Sequence, residues 1–389
     1  MATTGQNKGI TTTILHSGYN PSNEHGAIIP PLYLTTTFEY GNDGNYDYSR
    51  SGNPTRQTLE SVLASLDGAK YALAYSSGSA VLANIAALLK SSEEILFSAD
   101  AYGGTYRYIV EVLGHQNIGH QITDFTKLAA VEQVLKTKPI KLIWVETPTN
   151  PLLKVADIEQ LARLAHEYDA LLVVDNTFAT PVIQKPLTLG ADIVVYSTTK
   201  YINGHSDSTG GSLALNDNEL FERLKFLQNA IGAILSPFDA WLTLRGLRTL
   251  ELRMERHVAN ARAIAWLLKN HHKIKIVYYP AFFTGEQGRI VQKQMLLPGG
   301  IISVELDPAY DVQSFLGNLE YFPLAESLGG VDPLIDHPAT MTHAAIPAEE
   351  RAKIGLSDEL FRISVGIENT ADLLADIEQA LSKTTLRNE

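Results

Sequence analysis

The chain has 389 residues, a formal net charge of −12 and 45% hydrophobic residues. That length suits two globular domains with a sizeable core, and the acidic balance argues against general nucleic-acid binding. No apolar run approaches the ~18 residues of a bilayer span, the polar start lacks a secretory core, and no cysteine is present for a disulfide, a thiolate nucleophile or a thiolate metal site; a cytoplasmic enzyme is the simplest expectation.

Residues 1–56 carry little periodicity and much Thr, Gly, Asn and Pro, the composition of a long irregular segment with a function. Its aromatics gather towards Tyr48-Ser49-Arg50, followed by Asn53-Pro54-Thr55. An arginine fork with a tyrosine hydroxyl beside it suits a phosphate. Helical spacing runs from Thr58 to Leu66 and stops near Gly68. Tyr71–Tyr75 reads as a strand, and Ser76-Ser77-Gly78-Ser79 opens an apolar helix from Ala80 to Leu89. A strand, a small-residue turn and a helix N-terminus together make an anion site. Glu94–Ser98 is the next strand, with Tyr102 just beyond it. Lys141–Thr147 is another, ending at the turn signal Asn150-Pro151. Apolar residues at 158, 161, 164 and 165 mark a core helix.

Two apolar runs then end in chemistry. Ala170–Val174 leads into Asp175 and Thr177, and Ala191–Tyr196 leads into Ser197, Thr199 and Lys200. Strands near 71, 94, 142, 171 and 192, with helices between, predict an α/β fold with a doubly wound, mainly parallel sheet. Ligands of such sheets sit past the C-terminal strand ends, which is where Asp175 and Lys200 fall. A lysine there can form a Schiff base with an aldehyde once it loses its proton. The hydroxyls beside it, and the glycines at 204, 210 and 211, suit a phosphate. An acid on the neighbouring strand can face a pyridinium nitrogen. Alone, each residue is ordinarily a solvated lysine or a capping acid; paired 25 residues apart they point to pyridoxal phosphate (PLP). Neither Gly-x-Gly-x-x-Gly nor Gly-x-x-x-x-Gly-Lys-Ser/Thr occurs, so nucleotide-binding readings lose their usual support.

From Glu219 to Asn270 the pattern is helical and rich in arginine, an arginine face expected to be solvated or salt-bridged. Strands at Lys275–Tyr278 and Gly300–Leu306 and a helix at Thr370–Lys383 predict a smaller α+β domain. Within it, Phe322–Gly330 is apolar around Glu326 and Ser327, Met341-Thr342-His343 follows, and Arg362 alternates with apolar neighbours as if aimed at an anion.

The run Ser197-x-Thr199-Lys200-Tyr201-Ile202-x-Gly204-His205-x-Asp207-x-x-Gly210-Gly211 resembles the lysine signature of the Cys/Met-metabolism PLP-dependent enzymes. The likeness extends over nearly the whole chain. It implies the aspartate-aminotransferase-like fold (fold type I), with an arm over 1–56 reaching a neighbouring subunit. A large PLP-binding domain over 57–245 and a small C-terminal domain over 246–389 would follow, divided inside a long connecting helix. It implies a homotetramer of catalytic dimers acting on an amino acid. On this resemblance Lys200 carries the cofactor and moves protons, Asp175 faces the ring nitrogen, and Tyr102 stacks on the ring. Asn150 bonds the ring oxygen. Gly78, Ser79, Thr177, Ser197 and Thr199 surround the cofactor, and Tyr48 and Arg50 reach a neighbour's phosphate. Arg362 grips the substrate carboxylate beside Ser327 and Thr342.

The family holds cystathionine γ-lyases, γ-synthases, β-lyases and methionine γ-lyases. Glu326 resembles the carboxylate of the γ-lyases and γ-synthases, suited to the distal ammonium of cystathionine. Gly104 replaces the cysteine usual in methionine γ-lyases. The expectation is α,γ-elimination of L-cystathionine to cysteine, 2-oxobutyrate and ammonia, with hydrogen sulfide released from homocysteine or cysteine as a side activity. The alternatives are γ-replacement on an O-acylhomoserine, β-elimination of cystathionine, γ-elimination of methionine, and, in a different class, an idle PLP-fold binding protein. Retention of Lys200, Asp175 and Arg362 together argues against the last.

Overall fold

The computed structural model describes residues 8–23, 25–98, 100–342, 349, 351 and 355–387. His343 lies outside them. Two sheets organise the chain. The first has seven strands: β1 (Tyr71–Tyr75), β2 (Glu94–Ser98), β3 (Gly119–Thr123), β4 (Ile140–Glu146), β5 (Leu171–Asp175), β6 (Ile193–Tyr196) and β7 (Gly211–Leu215), in the order β1-β7-β6-β5-β4-β2-β3. Strands β2 to β6 pair in parallel, while β7 runs antiparallel between β6 and β1. The second sheet has β8 (Ile274–Tyr278), β9 (Ile301–Leu306), β10 (Leu334–Asp336) and β11 (Leu360–Ser364), all antiparallel, in the order β10-β11-β9-β8.

The expected α/β architecture is therefore present, and the large sheet holds two strands that periodicity did not disclose. β3 is Gly-His-Gln-Ile-Thr at the sheet edge, half-wet and polar, so it lacks an apolar run. β7 begins at Gly211, one of the glycines read as a phosphate loop. A Cβ on Gly211 would lie 2.3 Å from the Ser77 carbonyl oxygen, so that glycine lets β7 pass the turn below the anion site. The central strands are nearly continuous Leu, Ile and Val, as parallel strands covered on both faces must be.

Helix ends follow local chemistry. The helix Pro54–Asp67 starts with Pro54 at its first position and Asn53 accepting the amides of Thr55 and Arg56. Gly68 ends it in the left-handed region at φ 65°. The helix Gly78–Ala86 is capped by Ser77, whose side chain accepts from the Ala80 amide. The arginine-rich stretch divides into Asn218–Ile231, Pro237–Leu247 and Leu250–Lys269. Arg253 on the last of these departs from the expected solvated face. It is buried, and donates to the carbonyls of Tyr201 at 2.7 Å and Gly246 at 2.8 Å. Gly204 makes room for it: a Cβ there would stand 2.0 Å from Arg253 Nη1. On the same helix, His257 Nδ1 lies 2.6 Å from the Val365 carbonyl oxygen, just past β11. Among the described residues, no helix is long and apolar enough to cross a membrane.

Candidate active site

A cavity of about 380 Å³ opens where the C-terminal ends of the parallel strands face the second sheet. Gly78, Ser79, Tyr102, Asn150, Asp175, Thr177, Ser197, Thr199, Lys200, Glu326, Ser327, Thr342 and Arg362 all line it. Tyr48 and Arg50 do not. Arg50 instead donates from Nη1 to the main-chain and side-chain oxygens of Asn229, both at 2.9 Å, and stacks near the Tyr48 ring. Gly204, Gly210 and Gly211, expected near a phosphate, are also outside; they make room for Arg253, Thr198 and the Ser77 carbonyl respectively.

At one end of the cavity lies an anion cradle. Its floor is the first turn of the helix Gly78–Ala86, and its rim carries the hydroxyls of Ser197 and Thr199. The amides of a helix N-terminus favour a phosphate there. A Cβ on Gly78 would stand 3.1 Å from Ser197 Cβ, so a glycine keeps the cradle open.

Asp175 closes β5 and is the register neighbour of Val195 on β6, placing it one strand from the Lys200 turn. Its Oδ1 accepts from the Thr177 amide at 3.0 Å and the Thr177 hydroxyl at 2.5 Å. Burial pushes its carboxyl upward, against those two bonds. A buried acid in that state gains from a cation placed against it. Lys200 follows β6 by a short turn and donates from Nζ to Ser327 Oγ at 2.7 Å. Burial, then the nearby Arg362 guanidinium, lowers the Lys200 ammonium to about 8. That brings a free amine within reach near neutral pH.

Arg362 is held on several sides. Its Nη1 donates to Asn150 Oδ1 at 2.6 Å, and Nη2 donates to the Ser327 carbonyl at 3.2 Å and to Asp336 Oδ2. Asp336 is its register partner across β10 and β11, and both are buried. The surface salt bridge ordinarily expected for a strand arginine is thus an interior one. Nε of Arg362 is buried with no hydrogen-bond partner among the described residues, a rare state for a buried donor. Ser327 adopts φ 95°, an unusual backbone for a side-chain-bearing residue.

Two contributors escaped the reading of the sequence. Asp336 sits in a short strand without a motif, and only the β10–β11 register reveals it. Glu146 stood in plain view at the end of a predicted strand, where an acid resembles a simple boundary residue. It lines the cavity beside Asp175.

A phosphate cradle, a depressed lysine and an acid one strand away fit PLP, and the fold around them is that of the fold type I enzymes. The family model "Cys/Met metabolism PLP-dependent enzyme" matches residues 11–382. A cystathionine gamma-lyase of Dictyostelium discoideum is 50% identical over 382 residues, covering 97% of this chain and 98% of the relative. A cystathionine beta-lyase of Lactococcus lactis subsp. cremoris is 46% identical over 377 residues, covering 96% and 99%. The crystal structure of cystathionine gamma-lyase from Lactobacillus plantarum complexed with L-serine superposes with a TM-score of 0.94 at 42% identity, covering 98% of this chain and 100% of that one. The chain belongs to the Cys/Met-metabolism family of PLP-dependent enzymes.

Proposed function

We propose that the chain is a cystathionine γ-lyase, converting L-cystathionine to cysteine, 2-oxobutyrate and ammonia. The observation that carries this reading is Glu326 on the cavity wall, on the same turn as Ser327, the partner of Lys200. A carboxylate there suits the distal ammonium of a substrate whose α-carboxylate is held by Arg362. The cystathionine gamma-lyase from Dictyostelium discoideum, at 50% identity, supports the same reading.

When bound, PLP supplies an electron sink that acidifies the substrate's Cα–H bond. The protein's own groups do the rest. Asp175 offers its carboxylate to the ring nitrogen, and Tyr102 covers the ring. Gly78, Ser79, Ser197 and Thr199 hold the phosphate. Asn150 gives Oδ1 to Arg362, which leaves its amide for the ring oxygen. Once free of the cofactor, Lys200 would be a base of suitable strength beside Cα: it would take the α-proton, give it up within the site, take a β-proton, and return that proton to the departing γ-thiolate. Ser327 holds the Lys200 amine by its hydroxyl, and Arg362 on the cavity wall offers its guanidinium to the substrate carboxylate. Thr342 lines the same wall. Tyr48 and Arg50, outside their own cavity, serve a neighbour's phosphate within a tetramer, the arm over 1–56 crossing between subunits.

Product analysis with PLP and L-cystathionine alone tests the reading. Cysteine with 2-oxobutyrate is expected. Homocysteine with pyruvate would make the chain a β-lyase, the second reading, favoured by the 46%-identical Lactococcus relative. No turnover, with cystathionine formed from an O-acylhomoserine and cysteine, would make it a γ-synthase.

A further inference from the structure

Glu146 is a buried acid in the cavity wall for which the chemistry above has no use. It ends β4 directly across the parallel ladder from Asp175 at the end of β5. Only 6% of it is exposed. Its carboxyl reaches into the segment that presents Tyr102. Oε2 accepts from the Tyr102 backbone amide at 2.8 Å, and Oε1 meets the Thr105 hydroxyl at 2.9 Å. Tyr102 leads into the short helix Gly103–Arg107, which has no side-chain cap of its own. Glu146 is therefore the tie between that turn and the sheet. Tyr102 itself is half exposed at the cavity mouth, its ring lying over Gly104, where a Cβ would stand 2.4 Å from Cε1.

The charges around Glu146 are of its own sign. Asp175 and Asp100 both act on it. Lys154 pairs with Asp100 at 3.8 Å and Asp124 at 3.7 Å instead. Two ionised carboxylates in one enclosed site repel without compensation, and one of them keeps its proton. Burial first, then Asp175, raises Glu146 to about 8. A neutral acid keeps both observed bonds: one carboxyl oxygen accepts the Tyr102 amide, and the other accepts the Thr105 hydroxyl.

We propose that Glu146 is a positioning residue that, as a neutral acid, ties the Tyr102 amide and the Thr105 hydroxyl to the end of β4, fixing the Tyr102 ring over the cofactor and leaving Asp175 as the single negative charge at the ring-nitrogen end. It rests on Tyr102 facing the cofactor, the role proposed above. Glu146 need not touch the substrate or the reacting atoms; it acts through Tyr102.

The test is PLP affinity of the full-length protein, stripped and reconstituted at pH 7. It is followed by quenching of tryptophan emission, since Trp144 lines the cavity, and by visible circular dichroism of the bound cofactor. Glu146→Gln keeps an acceptor for the Tyr102 amide, and its NH2 donates to Thr105 once that hydroxyl rotates, so its dissociation constant stays within about threefold of the parent. Glu146→Ala loses both anchors, weakens binding by roughly tenfold or more and shrinks the dichroic band. In a Tyr102→Ala background the same change adds less than about twofold, because the residue it acts through is gone. If Glu146→Gln is as weak as Glu146→Ala, the charge matters and the inference is overturned; an undiminished effect in the Tyr102→Ala background overturns it too. Should Glu146→Ala not fold, Thr105→Val decides: weakened in the parent and silent in Tyr102→Ala supports the tie, and any other pattern removes it. Unchanged affinity in Tyr102→Ala alone sinks the Tyr102 role and this inference together. A parent chain that binds no PLP would refute the cofactor assignment itself, a separate result.

Discussion

On the large-sheet side of the cavity, Glu146 and Asp175 end β4 and β5, and Lys200 follows β6, three neighbouring parallel strands. On the other side, Glu326 and Ser327 sit in a turn, and Arg362 lies in the middle of β11. Ladder hydrogen bonds set the first group; slipping one strand would bury the wrong face of every residue on it. The second group is set by side chains. Ser327 holds φ 95°, a conformation that costs about 1–3 kcal/mol, and two bonds retain it there, to Lys200 and to Arg362. Arg362 is fixed by Asp336 before any ligand arrives. The large-sheet wall is thus part of the fold, and the wall facing it is adjustable by a few side chains. That contrast accords with relatives near 50% identity bearing names of different bond specificity.

Lys200→Ala breaks the comparison most severely. Turnover falls by at least about 10³-fold, in line with loss of a positioned base, and the visible absorbance of the bound cofactor shifts. Arg362→Met comes next. Charge-assisted hydrogen bonds contribute roughly 1.5–3 kcal/mol, so kcat/KM falls about 10²-fold. It also strands Asp336 as a buried unpaired acid, lowering stability by about 3 kcal/mol. Adding Asp336→Leu returns most of that stability and none of the activity, measured by urea unfolding beside initial rates. If the double variant is no more stable, Asp336 does not depend on Arg362.

Glu326→Val sharpens the distinction between walls. KM for cystathionine rises about tenfold, one exposed charge contact being modest, while PLP affinity stays unchanged; an unaltered KM would remove Glu326 from substrate recognition. The large-sheet side answers to pH. Burial raises Asp67, which accepts the Tyr196 hydroxyl, to about 7, and Glu146 to about 8. Their folded values exceed the ordinary carboxyl range of about 4, so between these values the folded chain holds more protons than the unfolded one. Stability then decreases as pH climbs from about 4 towards 8. Asp67→Asn with Glu146→Gln flattens that slope in urea midpoints taken at pH 5.5 and pH 8. The smallest effect belongs to the Ser327 turn. Both Ser327→Ala and Ser327→Gly lose the hydroxyl, but glycine tolerates positive φ and is the more stable by about 1 kcal/mol.

Legibility in the sequence follows the same division. Asp175 and Lys200 end apolar runs, and such runs announce both a strand and its terminus, so their meeting was foreseeable. Glu326 and Arg362 were visible through resemblance, but not what holds them, because Asp336 becomes a partner only through antiparallel register. Strand β3 was lost because an edge strand may stay polar, and β7 because its glycines serve backbone passage as readily as phosphate. Arg253 was misjudged for a general reason: a helical arginine looks solvated until a loop folds over it.

Arg253 also bears on the order in which the site can come into being during synthesis. The turn that follows Lys200 has its carbonyls at Tyr201 and Ile202 satisfied by a guanidinium from Leu250–Lys269, a helix made some fifty residues later. Until that helix leaves the ribosome and docks, those oxygens lack the donor that shapes the lysine turn. A nascent chain ending before residue 250 would carry every strand of the large sheet and still not retain PLP.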